Sequence, residues 1–130
     1  MNHFNVAAGI LCDSAGRVLI AERVGGGVFN GMWEFPGGKI ASGETSAEAL
    51  SRELAEELGI EVTACAPFMN LRHEYDDRTV MIEFFLVSDW NSEPVGREGQ
   101  ELRWVPRESL DARELLPADV PVVEALQTNH

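Results

Sequence analysis

Residues 37–60 read Gly37-Gly38-Lys39-Ile40-Ala41-Ser42-Gly43-Glu44-Thr45-Ser46-Ala47-Glu48-Ala49-Leu50-Ser51-Arg52-Glu53-Leu54-Ala55-Glu56-Glu57-Leu58-Gly59-Ile60, a glycine loop feeding an acidic helix. Thr45 or Ser46 can serve as N-cap, Glu48 follows Thr45 at the spacing of a capping box, and Gly59 offers a left-handed stop. These signals predict a helix from about Ser46 to Leu58. At roughly 100° per residue, Ala47, Leu50, Leu54 and Leu58 share one stripe, the face expected on the core. Glu53, Glu56 and Glu57 gather beside it.

Like charges one turn apart destabilise a helix by roughly 0.2–0.5 kcal/mol per pair, so something should offset the repulsion. On its own the acidic helix reads as a solvated face. Two features point instead to a ligand. Arg52 is the one cation within the cluster, and the preceding loop is rich in glycines, whose carbonyls can turn toward a bound group. Hard oxygen donors gathered at one point suit Mg²⁺, with Mn²⁺ as a substitute.

Gly38, Glu44, Arg52-Glu53-Leu54, Glu56-Glu57 and Gly59-Ile60 resemble the Nudix box at every specified position and spacing. The flanking segments Trp33-Glu34-Phe35-Pro36-Gly37-Gly38-Lys39-Ile40, Gly96-Arg97-Glu98-Gly99-Gln100 and Pro117-Ala118-Asp119-Val120-Pro121 are similar to those of MutT-like members of that family. The resemblance implies an α+β Nudix fold, a mixed β-sheet sandwiched between α-helices, as one domain over residues 1–130. It also implies hydrolysis of a nucleoside triphosphate to monophosphate and pyrophosphate, above all of 8-oxo-dGTP, which would clean the nucleotide pool before DNA replication.

The same resemblance gives roles to residues. Glu53, Glu56 and Glu57, with the carbonyl of Gly37 or Gly38, would be the principal metal ligands. Glu98 would be a further ligand or the general base, with Glu53 its rival for the base role. Arg52 would orient Glu53 and balance charge, and Glu44 would support the loop. Arg23, Phe35, Arg78 and Asp119 would bind substrate. Each of these four also has a plainer reading: strand-end arginine, core phenylalanine, turn arginine and helix N-cap. MutT-like enzymes carry an asparagine where this chain has Asp119. An ionised aspartate only accepts hydrogen bonds, so it would favour bases that present an amino group, such as cytosine or a modified adenine, unless burial keeps it protonated. The tail around Asp119 is also similar to that of CTP and methylcytosine-triphosphate pyrophosphohydrolases. A non-catalytic Nudix-fold binding or regulatory module would lack some metal carboxylates, and none is missing here. A structural calcium module finds no EF-hand loop spacing.

Composition narrows the classes. The chain has 130 residues, 45% of them hydrophobic, enough for one domain with a real core. Its 22 acidic and 10 basic residues give a formal charge of −12 with no basic run. Binding to a nucleic-acid polymer or an anionic membrane is therefore disfavoured, and a triphosphate would need bound cations to approach. Cys12 and Cys65 read as buried thiols in a reducing compartment. The apolar run Val6 to Cys12 is neither a signal peptide nor a membrane span, so a cytoplasmic monomer acting on a small nucleotide is expected.

Along the chain, Asn5–Cys12 and Arg17–Arg23 read as a hairpin around Asp13-Ser14-Ala15-Gly16. Val24–Met32 reads as a flexible glycine loop and Trp33-Glu34-Phe35 as a short strand. Residues 60–74 form a strand region interrupted by Pro67, Tyr75–Arg78 a turn, and Thr79–Val87 a stronger strand. His73 reads as structural or surface-exposed. Asp89–Gln100 is a polar loop, Glu101–Val105 a last strand with Trp104 in the core, and Asp119-Val120-Pro121 the start of a final helix carrying Val122 and Leu126.

Overall fold

The structure, a computed structural model, describes residues 2–128. Strands β1 (Asn2–Leu11), β2 (Arg17–Glu22), β3 (Trp33–Glu34) and β4 (Gly37–Lys39) precede helix α1 (Ser46–Leu58). After it come β5 (Glu61–Glu74), β6 (Arg78–Asn91), β7 (Leu102–Pro106) and helix α2 (Val120–Thr128), with short 3₁₀ turns at Arg107–Ser109 and Pro117–Asp119. A mixed sheet runs β4-β1-β6-β5, with β1 parallel to β6 and the other pairs antiparallel. A second, antiparallel sheet runs β3-β2-β7.

The alternation of β1 divides the interior in two. Ala7 and Leu11 pack with Leu50, Leu54 and Leu58 of α1, whereas Ala8 and Ile10 face Val122, Val123 and Leu126 of α2. Gly9 lies beneath α1, where a Cβ would stand 3.1 Å from Leu54. The mixed sheet is thus covered by helices on both faces, as expected. Among the described residues no helix is long and apolar enough to cross a membrane.

Helix α1 has the predicted bounds. Thr45 accepts the Glu48 amide at 3.1 Å, the Glu48 carboxylate accepts the Thr45 amide at 2.8 Å, and Gly59 is left-handed at φ 70°. The buried stripe differs at one place: Ala47 is exposed and Ala49 is fully buried. Ala49 precedes Glu53 by one turn, and that side of the helix packs on the glycine strand β4.

Several other expectations are corrected. Among the described residues β1 and β2 form no ladder beyond the isolated Cys12–Val18 bridge just past β1, and they enter different sheets because β4 and β6 occupy both edges of β1. β5 runs through Pro67 with a register shift beside it; as an edge strand it does not need that residue's N–H on its open side. β6 extends to Asn91, shortening the polar loop. Cys65 is exposed on the edge strand, and Cys12 is half-buried with its thiol pKa raised by desolvation. Trp104 is half-buried, stacked on Trp90 at 6.0 Å.

Candidate active site

Two cavities meet at β3 and the end of β2. The larger, about 490 Å³, lies between the start of β1, the turn before β6 and the segment before α2. Arg23, Phe35, Gly37, Gly38, Arg78 and Asp119 all line it, with Glu34, Lys39 and Tyr75. The smaller, about 90 Å³, is lined by Arg23, Glu34, Glu57, Glu98 and Gln100 among others. Arg23 and Glu34 belong to both, joined by an ion pair of 3.0 Å.

In the larger cleft the four substrate candidates take distinct places. Phe35 is 4% exposed, edge-on to Phe84 at 6.3 Å, so it is a core residue with an edge on the cleft. Arg78 lies over the Tyr75 ring at 4.8 Å and pairs with Asp77 at 3.2 Å. His73 is half-buried against that same ring at 4.5 Å. Asp119 is 5% exposed, and its Oδ2 accepts the Phe35 amide at 3.3 Å across the cleft floor, which is not a helix cap. Burial, opposed by the Phe35 hydrogen bond and reinforced by the charge of Glu34, pushes the Asp119 carboxyl up to about 8. At neutral pH it is mainly the neutral acid, a donor as well as an acceptor.

The acidic side of α1 is organised by Arg52. Its Nε and one terminal nitrogen grip Glu44 at 2.7 and 2.9 Å, the other terminal nitrogen reaches Glu53 at 2.9 Å, and the Lys39 carbonyl accepts at 3.0 Å. The fork therefore ties loop, strand and helix together. Glu44 also accepts the Ala41 amide at 2.8 Å. With the Arg52 bond the larger cause, these hold its carboxyl at about 2. Glu56 stands 3.5 Å from Arg52 on the exposed side, apart from the small cavity.

Glu57 turns inward. Its Oε2 is buried with no hydrogen-bond partner. Burial first, then the charges of Glu53, Glu98 and Glu34, then a hydrogen bond to Glu53, push its carboxyl up to about 9. An orphaned carboxylate oxygen crowded by like charges and set in a small cavity fits a divalent cation. Among the described residues no three such side chains already stand as a ligating set. Glu98 is exposed on a loop facing Glu57.

The paired glycines discriminate. A Cβ at Gly37 would collide with the Ala7 carbonyl of β1, while one at Gly38 would collide with the Glu53 carboxyl group. Backbone cannot yield, but a side-chain end can. Gly37→Ala is expected to destabilise the fold by about 2 kcal/mol through the β1-β4 pairing. Gly38→Ala should leave stability within about 1 kcal/mol and lower kcat by roughly tenfold or more, by displacing Glu53. Denaturation and turnover of the two variants check the contrast; equal loss of stability in both would contradict it.

Glu34 and Gln100 join the site without a local sequence signal that marks them. Glu34 sits between buried Trp33 and Phe35, where strand alternation points it away from their core. In a two-residue strand, that other side is a cavity wall.

The NUDIX domain family profile matches residues 7–125. The chain is 40% identical to the 8-oxo-dGTP diphosphatase of Haemophilus influenzae, over 93% of this chain and 89% of that one. It is 35% identical to the CTP pyrophosphohydrolase of Escherichia coli, over 96% and 92% of the two chains. Among solved structures it superposes on a MutT from work on the Aliivibrio salmonicida and Vibrio cholerae proteins, at a TM-score of 0.85 and 35% identity, covering 99% of this chain and 100% of that one.

Proposed function

Because the chain belongs to the NUDIX domain family, we propose that it is a nucleoside triphosphate pyrophosphohydrolase. Its preferred substrate is 8-oxo-dGTP and its products are 8-oxo-dGMP and pyrophosphate. The relatives named for 8-oxo-dGTP support this reading. The observation that carries it is the junction at β3 and the end of β2: a cleft floored by buried Asp119 opens beside a crowded carboxylate cavity, and Arg23 and Glu34 line both. A base held at Asp119 can lay its phosphates toward Glu57.

Nudix hydrolases generally depend on a divalent metal. We assign Mg²⁺, with Mn²⁺ as substitute, to Glu53, Glu56, Glu57 and Glu98 and the Gly37 or Gly38 carbonyl. When bound, such a cation offsets the charge of the phosphoanhydride oxygens and acidifies an adjacent water. Arg52 holds Glu53 at the mouth of the site, and Glu44 keeps Arg52 in place. Glu53 or Glu98 takes the proton as the water oxygen attacks phosphorus and pyrophosphate departs. Arg23 and Arg78 are free to turn part of their charge to the substrate's anionic groups. The protein acts as a cytoplasmic monomer on the free nucleotide pool, limiting mutagenic incorporation during replication.

One observation favours a second substrate class. A relative of comparable identity is named for CTP, and by resemblance Asp119 stands where MutT-like enzymes carry an asparagine. An ionised Asp119 would suit a cytosine amino group. The test is kcat/KM for 8-oxo-dGTP, dGTP, 2-hydroxy-dATP, CTP and 5-methyl-dCTP with Mg²⁺ at pH 7. A preference for 8-oxo-dGTP over dGTP of about a hundredfold is expected. A cytosine or adenine triphosphate in first place would retain the metal chemistry and overturn the oxidised-guanine assignment.

A further inference from the structure

We infer that Gln100 is the positioning residue that sets the separation of Glu57 and Glu98, by bridging the backbones of the two segments that carry them. Its side chain is among the few buried polar groups of the described residues, at 9% exposure. Nε2 donates to the Glu57 carbonyl at 3.2 Å, and Oε1 accepts the Glu98 amide at 2.9 Å. Both ends of one amide are thus used, one on each acid's backbone.

Glu98 has no strand or helix to hold it. It stands on a turn closed by the Gly99 amide on the Gly96 carbonyl at 3.1 Å, with Gly99 left-handed at φ 84°. The segment docks on the end of α1, where helix carbonyls lack internal partners. Val95 and Arg97 amides reach the Leu58 and Glu57 carbonyls, each at 3.0 Å. Those bonds fix the approach to the turn; the Gln100 side chain is what grips the Glu98 amide itself. A Cβ at Gly96 would collide with the Gln100 carbonyl oxygen, so the turn closes tightly around this residue.

The residue type fits the task. A neutral side chain with a donor and an acceptor at its tip bridges both backbones without adding charge to the cavity it shares with Glu34, Glu57 and Glu98. A glutamate would lose the donor and add an anion. An asparagine is shorter by one methylene and cannot reach both partners. Displacement of a reacting group by about 1 Å can cost a hundredfold in rate, which is why a loop-borne acid needs such a clamp.

The inference rests on the reading of Glu57 and Glu98 as one cation site, so its test reads that site without turnover. Mn²⁺ binding to the nucleotide-free protein is measured by water-proton relaxation, with amide hydrogen exchange at Glu98 and steady-state kinetics beside it. Gln100→Leu is expected to bind Mn²⁺ about tenfold more weakly and to lower kcat by roughly 10–100-fold. The triphosphate KM should stay within about twofold, since the base cleft is untouched. Exchange at Glu98 should accelerate while the α1 amides keep their protection, a split that a general loss of stability would not give. Gln100→Asn is expected to show the same pattern and replaces Gln100→Leu should that variant not fold. Unchanged Mn²⁺ affinity and kcat in a folded variant overturn the role of Gln100 alone. Wild-type protein that binds no Mn²⁺ overturns the cation-site reading and this inference with it.

Discussion

Glu57→Gln is expected to lower kcat by about a thousandfold while raising the melting temperature of the metal-free protein. The two effects have one cause. Glu57 is held inward with an unpartnered oxygen and with Glu53, Glu98 and Glu34 around it. Its charge is useful only when a cation is present and unfavourable otherwise. Glutamine keeps the shape, needs no proton taken up on folding and supplies an amide that can donate to Glu53. Removing the cost of holding a buried carboxyl protonated at neutral pH should contribute at least about 1 kcal/mol, or roughly 3–6 °C for a domain of this size. Thermal unfolding in chelator and pyrophosphate release in Mg²⁺ check both halves. A variant that is inactive and less stable would mean that Glu57 supports the fold instead; near-normal activity would remove it from the metal site.

Asp119→Asn carries the second large effect, with a defined pH signature. The carboxyl of Asp119 is raised from an ordinary value of 3.8 to about 8 in the fold. Its neutral form is therefore the folded form, and the unfolded chain ionises first. The stability this confers is complete below about pH 4 and declines as pH rises toward 8. Asparagine does not titrate, and its carbonyl can still accept the Phe35 amide. The variant should therefore gain on the wild type between pH 4 and 8, reaching about 4 kcal/mol near neutrality. Denaturant midpoints across that range give the comparison; parallel profiles would show that Asp119 is ionised in the fold.

Substrate choice should follow the same titration. Up to about pH 8 the neutral acid donates and accepts, as asparagine does, and both proteins should prefer 8-oxo-dGTP. Above it the wild type should lose about tenfold of that preference while the Asn variant keeps it. An unchanged ratio at pH 9 would place the base elsewhere in the cleft.

How much of this could be read from residues alone depended on the range of the interaction. The bounds of α1, its capping box and the Gly59 stop follow from neighbours within a few positions, and the structure places them as read. Arg52 beside Glu53 was equally legible from their places on the helix, whereas the grip of Arg52 on Glu44, eight residues away across the leading loop, was not. The pairing of β1 was not. A strand, a turn and a strand look like a hairpin unless the competing partners β4 and β6, remote in sequence, are known. The exposure of Cys65 depends in the same way on β5 being an edge strand. Glu34 and Gln100 escaped notice for a related reason. Their surroundings combine segments from four parts of the chain, and nothing local distinguishes them from solvent-facing polar residues.

Phosphorus NMR of 8-oxo-dGTP incubated with the wild-type protein, with Mg²⁺ and then with excess chelator, tests the central claim most directly. The account predicts paired resonances of a nucleoside monophosphate and pyrophosphate that grow only in Mg²⁺. Orthophosphate with a nucleoside diphosphate, turnover undiminished by chelator, or no turnover of the triphosphate would contradict it.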